Sequence, residues 1–194
     1  MAVLPLIIAP DPILKEISTP VEAVDDEVRA FLDDMLDTMY RSRGIGLAAV
    51  QVGVLKRLIV VDVHWREENP AETRKPLKLI NAEIVSDSGD LLSYKEGCLS
   101  FPDQFSEVDR PGTIKVRYLD EHGKEQELEA DGLLATCIQH EIDHTNGITF
   151  VDHISRLKRD MIIKKLVKAK KAGMFDEHHH HDHDHVHGEH CNHG

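Results

Sequence analysis

Residues 140–144 read His140-Glu141-Ile142-Asp143-His144, and no other stretch constrains the chain as tightly. The segment reads as helix. Residues four apart on a helix share one face, so His140 and His144 can turn their rings toward a single metal ion. Glu141 lies one position on and can reach a water held by that ion without taking a ligand place. Two neutral nitrogen donors with a carboxylate base suit metal-assisted hydrolysis of a carbonyl compound. The rest of the chain must then fold so as to supply a third ligand, an oxyanion stabiliser and a substrate pocket.

Three residues compete for the third ligand place. His153 is the only histidine downstream of the helix before the C-terminal tail. Cys137 lies three residues before His140 and roughly shares its face. It is seven residues from His144, however, about 10.5 Å along a helix axis, which fits one ion poorly. Cys137 is better read as a small buried hydrophobe beside the site. Cys98 sits in Glu96-Gly97-Cys98-Leu99-Ser100, a Gly-containing segment between expected strands. Its thiolate can complete a Cys/His/His set with a fourth position open for water. Spacing alone does not separate that role from an ordinary core cysteine.

The chain has 194 residues, enough for one domain with a sizeable core. Its net charge of −12 is unevenly spread. Residues 154–171 carry eight Lys or Arg against Asp160 alone, while the rest is acidic. An acidic body argues against general nucleic-acid affinity, yet the basic segment can meet an anionic partner locally. Three cysteines, Cys98, Cys137 and Cys191, do not look like a disulfide framework and fit a reducing, cytoplasmic compartment. Met1 to Ala9 is apolar but lacks a basic flank and is broken by Pro5, so it reads as a mature N-terminus rather than a signal peptide. No apolar run is long enough to span a membrane, and none is expected to contact one.

Hydrophobic periodicity predicts a helix over Asp25–Arg43, capped by Asp25 or Asp26 and ended by Gly44. Its stripe is Val28, Phe31, Leu32, Met35, Leu36 and Met39. The run Gly44-Ile45-Gly46-Leu47-Ala48-Ala49-Val50-Gln51 follows. Strands are expected over Arg57–Val63 and Leu77–Val85, separated by a Pro- and Glu-rich loop from Trp65 to Pro76. Thr113–Leu119 and Glu125–Ala130 read as a hairpin. Asp131 is the expected cap of the metal-binding helix and Gly147 its stop. A last amphipathic helix over Ile154–Lys171 should turn Ile154, Leu157, Met161, Leu166 and Val167 inward and its lysines outward. The class is α+β, with antiparallel strands packed around a central metal-binding helix and with N-terminal and C-terminal helices. Residues 1–175 form the catalytic domain. Residues 176–194, with nine of the fourteen histidines, cannot build a core and should be a disordered tail.

Three separated segments, Gly44-Ile45-Gly46-Leu47-Ala48-Ala49-Val50-Gln51, Glu96-Gly97-Cys98-Leu99-Ser100 and His140-Glu141-Ile142-Asp143-His144, resemble in order and content the signature motifs of peptide deformylases. The resemblance covers roughly residues 3–170, and the spacing looks like the bacterial type with a C-terminal helix. It implies the α+β deformylase fold. It implies a site of Cys98, His140 and His144 around one Fe(II), for which Zn(II), Ni(II) or Co(II) can substitute. The implied reaction removes the formyl group from N-formylmethionine on nascent polypeptides and releases formate. Glu141 is then the proton shuttle, while the Gln51 side-chain amide and the Leu99 backbone N–H stabilise the oxyanion. Gly46 holds the peptide through its backbone, and Ile45, Cys137 and His140 line the methionine pocket. One departure stands at Phe105, where some bacterial relatives carry Arg near the substrate backbone. Phe105 cannot donate hydrogen bonds.

The resemblance also implies that helix 154–171 docks on the ribosome, where its cations suit RNA. The histidine-rich tail, with Cys191, can chelate further divalent ions. Two rival functions share these features. A zinc metallopeptidase would use the same helix to cut unformylated internal bonds. A metal-storage or carrier protein would act through the tail.

Overall fold

The computed structural model describes residues 2–65 and 73–175. The expected tail, 176–194, and residues 66–72 of the Pro- and Glu-rich loop lie outside the described residues.

Helix α1 (Asp26–Arg41) begins where the sequence places it, with the Asp25 carboxylate accepting from the Val28 N–H at 2.9 Å. The chain leaves α1 through Arg43, which takes the left-handed conformation (φ 56) expected of Gly44. Gly44 serves a different need. A Cβ there would lie 2.7 Å from Leu99 Cδ1, so a side chain would push away the segment that follows Cys98.

Seven strands follow: β1 (Gly46–Ala48), β2 (Leu58–Val61), β3 (Leu77–Asp87), β4 (Leu91–Cys98), β5 (Phe101–Pro111), β6 (Thr113–Leu119) and β7 (Glu125–Asp131). Five make an antiparallel sheet in the order β1-β2-β3-β6-β7, while β4 and β5 form a separate hairpin. Helix α2 (Gly132–Thr145) carries the H-E-x-x-H pentapeptide.

Strands β1 and β2 are buried on both faces, and the period of two in the strands sorts the core. Leu58, Val60 and Ile80 pack with Leu32, Met35, Leu36 and Met39 of α1. Ile59, Val61 and Leu79 pack with Ala135, Ile138 and Ile142 of α2 on the opposite face. That is why β2 reads Leu-Ile-Val-Val with no polar alternation. The hairpin, the N-terminal segment and helix α3 (Arg156–Lys171) close the other side through Ala9, Leu14, Phe101, Val108, Phe150, Ile162 and Leu166. Helix α2 is therefore enclosed by packed structure, and only such a position buries His140, Glu141 and His144 together.

The Glu96–Ser100 segment, expected between strands that carried no bounds, spans the end of β4 and the turn into β5 of one hairpin, with Cys98 as the last residue of β4. Two local expectations need correction. Asp131 takes the N-cap position of α2, but its side chain makes no capping bond. The inward face of α3 is Ile162 and Leu166, whereas Leu157 and Met161 are 73% and 52% exposed. Among the described residues no helix is long and apolar enough to cross a membrane.

Candidate active site

One turn of α2 places His140, Glu141 and His144 on the side that faces β1 and the end of β4. The two rings lie edge to face with centroids 5.0 Å apart. Cys98 arrives from β4, with Sγ 3.2 Å from His144 Nε2. The ligand atoms of Cys98, His140 and His144 all lie within 4.8 Å of one another, and no other such group of three His, Cys, Asp or Glu occurs among the described residues. A thiol and two imidazoles converging in a buried site are the donor set of a catalytic metal centre with one coordination place left over. The residues present therefore fit a divalent ion of borderline softness.

The other two candidates for third ligand go elsewhere. His153 Nε2 sits 2.7 Å from Asp143 Oδ2. Cys137 donates to the Ile45 carbonyl at 3.4 Å, and burial pushes its thiol well above the ordinary range, so it stays protonated.

Glu141 is buried, and Oε2 has no hydrogen-bond partner in the protein. Burial raises its pKa to about 7; the charge of His140 opposes the rise and that of Glu96 adds to it. A carboxyl poised there can take and return a proton near neutral pH. Gly46 makes this arrangement possible. A Cβ at that position would collide with Glu141 Oε1 and would stand 2.8 Å from Cys137 Sγ.

Gln51 lies in a short 3-10 turn, Ala49–Val52, directly after β1. Its Oε1 accepts from the Ala48 N–H at 2.9 Å. Its Nε2 is 3.1 Å from Ser100 Oγ and 3.3 Å from Cys98 Sγ. The amide nitrogen thus lies beside the thiol of the candidate metal centre. Leu99 occupies the turn between β4 and β5 next to Cys98, and Ile45 packs against the core beside Cys137. All nine residues expected at the site fall within this region of the fold.

Sequence reading assigned no task to Glu96, Arg110 or Asp143. His140 Nδ1 is 2.8 Å from Glu96 Oε2, so Glu96 accepts its proton and leaves Nε2 to face Cys98. Arg110 donates to Glu96 through Nε (2.5 Å) and Nη2 (3.2 Å), and to Asp143 through Nη1 (2.8 Å). All three ionised groups are thereby paired. Although burial opposes its charge, hydrogen bonds from His140 and Arg110 hold Glu96 below the usual carboxylate range. For His140 burial also opposes the charged form, and hydrogen bonds to Cys98 and Glu96 outweigh it. His144, whose Nδ1 has no hydrogen-bond partner in the protein, is driven well below its ordinary value by burial and by the charge on His140. Glu96 carried a faint signal, because residues two apart in a strand share a face with each other and Cys98 is its i+2 neighbour. Arg110 and Asp143 carried none.

Phe105 pairs with Gly97 across the hairpin, its Cε1 only 2.5 Å from where a Gly97 Cβ would stand. The ring is 58% exposed, with Lys95 Nζ 5.5 Å from its centroid. It covers Gly97, the residue before Cys98, with an apolar surface instead of a donor.

The chain matches known proteins over this architecture. A family model described as polypeptide deformylase matches residues 3–160. A peptide deformylase of Rhizobium meliloti (strain 1021) is 55% identical over 171 residues, which is 88% of this chain and 96% of that protein. One from Methylocella silvestris is 56% identical over 171 residues, covering 88% of this chain and 87% of the relative. A crystal structure of peptide deformylase from Ehrlichia chaffeensis superposes with a TM-score of 0.83 at 43% identity, covering 89% of this chain and 99% of that one. A second, solved in complex with actinonin, gives a TM-score of 0.81 at 45% identity, covering 88% of this chain and 98% of the other.

Proposed function

The chain belongs to the polypeptide deformylase family and hydrolyses the N-formyl group of an N-terminal methionine, and on that premise we propose how its own residues divide the work. Cys98, His140 and His144 hold one divalent ion, Fe(II) in the native enzyme, with Zn(II), Ni(II) or Co(II) able to replace it; the soft thiolate favours this series over magnesium or calcium. When bound, the ion supplies Lewis acidity and an acidified water. Glu141 takes the proton of the attacking water and delivers it to the leaving amine. The Gln51 Nε2–H and the Leu99 backbone N–H donate to the oxyanion as it develops on the formyl oxygen. The Gly46 backbone holds the peptide, and the methionine side chain enters between Ile45, Cys137 and His140.

The observation that carries this reading is the convergence of three ligand atoms within 4.8 Å, beside a buried carboxyl of pKa about 7 and the Gln51 amide. Formate release from formyl-Met-Ala-Ser is the test, read for wild type and Glu141→Ala with metal analysis of both. The wild type should release formate and the variant should lose the activity while keeping its metal. Cleavage of unformylated internal bonds instead would favour the metallopeptidase.

Residues 1–175 act as the catalytic domain in this reading, and the enzyme works in the cytoplasm on nascent chains. The basic outer face of α3 meets the ribosome. What supports this is the exposure of Leu157 and Met161 among its lysines, an apolar and cationic surface together. The tail after Phe175 adds divalent-metal capacity through His178–His193 and Cys191.

A further inference from the structure

Ser100 is fully buried, and its hydroxyl faces a side chain rather than solvent. Its partner is Gln51 Nε2, at 3.1 Å. The other end of that amide is fixed as well, since Oε1 accepts from the Ala48 N–H at 2.9 Å. A flipped amide would set its NH2 against the Ala48 N–H, donor against donor, so only one orientation satisfies the site. An amide nitrogen has two protons, held in the amide plane and diverging from each other. With one given to Ser100 Oγ, the second is given to Cys98 Sγ, 3.3 Å away.

The backbone around this pair is tied by one segment. The Ile7 N–H donates to the Gln51 carbonyl at 2.8 Å, and the Ala9 N–H donates to the Ser100 carbonyl at 2.8 Å. The N-terminal strap therefore bridges β1's following turn and the tip of the β4–β5 hairpin. It sets the spacing between two residues that lie 49 positions apart in sequence.

We propose that Ser100 is a positioning residue for formyl hydrolysis: its hydroxyl holds the Gln51 amide so that the N–H lying on Cys98 Sγ is kept beside the developing oxyanion. The inference rests on the reading of Gln51 as an oxyanion donor. A donor that is already oriented adds nothing to substrate binding and lowers the barrier alone, so its loss falls on kcat rather than KM. Ser100 contacts neither substrate nor ion in this scheme and acts only through Gln51.

The test is a double-mutant cycle on formyl-Met-Ala-Ser with metal-loaded wild type, S100A, Q51A and S100A/Q51A, each checked for metal content and Tm. Gln51→Ala should lose about 100-fold in kcat. Ser100→Ala should lose about 10-fold in kcat, the upper scale of one neutral hydrogen bond, with KM and metal content near wild type. The double variant should match Q51A alone, because nothing remains for Ser100 to position. A Ser100→Ala loss that persists undiminished in the Q51A background overturns the proposal, as does a wild-type kcat in S100A when Q51A has lost its own. A wild-type kcat in Q51A overturns the reading of Gln51 itself and the role of Ser100 with it. If S100A does not fold, S100C keeps the side-chain size and weakens the acceptor, and the same cycle is read with it.

Discussion

Glu141 works under opposing demands, and they can be measured. In the proposed mechanism Glu141 acts as a carboxylate, while its burial favours the neutral acid and lifts its pKa from 4.5 to about 7. A group whose folded pKa lies above its unfolded value binds protons more tightly in the native chain. Its contribution to stability is complete below about pH 4.5 and is lost as pH rises to about 7, where the native state must ionise a buried acid. The full span is worth about 3 kcal/mol. Replacing Glu141 by Gln removes the titration, so in metal-stripped protein E141Q should gain about 3 kcal/mol on wild type between about pH 4.5 and pH 7.5. Urea unfolding at both pH values measures it. A difference that stays flat with pH, or that runs the other way, would show that the carboxyl is already ionised in the fold. Loading the site with a cation should shrink the effect, because a nearby positive charge favours the carboxylate. The same residue explains part of what sequence alone could not say. His140, Glu141 and His144 were legible because helix periodicity joins them. Arg110 was not, since its meaning depends on Glu96 and Asp143 meeting it from β4 and α2, and no local pattern encodes that meeting.

At the scale of elements, legibility followed the strength of the period. Helix α1 and strands β2, β6 and β7 were expected because their burial alternates in a simple way or runs unbroken, and β3 because its first half is apolar. The strands of the β4–β5 hairpin carried no bounds because its apolar residues break the pattern: Leu91 and Leu92 are adjacent and both exposed, while buried Glu96 and Arg110 read as surface. In α3 the apolar residues outnumber the inward positions. A helix docked along one line can bury Ile162 and Leu166, four apart, and must leave Leu157 and Met161 outside. Those two residues stand exposed on the same helix as Lys164, Lys165 and Lys168, all exposed. Attraction to phosphate backbones scales with the number of cations, so reversing charge at these three positions should cost most of any ribosome affinity at moderate salt. Co-sedimentation with ribosomes is the measurement, with formate release from a free peptide as the control that should not change. Binding that survives the triple reversal would remove α3 as the contact. Truncating Leu166 to Ala is a useful contrast, because this fully buried side chain should cost about 2–5 kcal/mol of stability while truncating Leu157 costs almost none.

Across the whole molecule, candidate metal ligands gather in two stretches of the chain, Cys98 with His140 and His144, and the residues after Phe175. The site formed by Cys98, His140 and His144 is pre-organised: Glu96 fixes one ring, Phe150 stacks on it at 6.2 Å, and the sheet and hairpin hold the ligand atoms together. Such an arrangement suits a single ion selected by geometry. The residues after Phe175 instead supply number, with nine histidines, Cys191 and five acids in the last nineteen positions. Imidazoles at that density bind Zn(II), Ni(II) and Cu(II) by mass action, with an affinity that falls as pH drops through the ordinary histidine range. If the tail buffers metal for the enzyme, calorimetric titration of the full chain with Zn(II) at neutral pH should give a stoichiometry of several ions. A chain ending at Phe175 should bind one. The two chains should release formate at the same rate once loaded, and the full chain alone should hold its activity longer against a weak chelator. Equal stoichiometry in the two titrations would rule out storage. Unequal stoichiometry with equal chelator resistance would leave a tail that binds metal without supplying it, since a reservoir matters only if its ions reach Cys98, His140 and His144 faster than the chelator takes them.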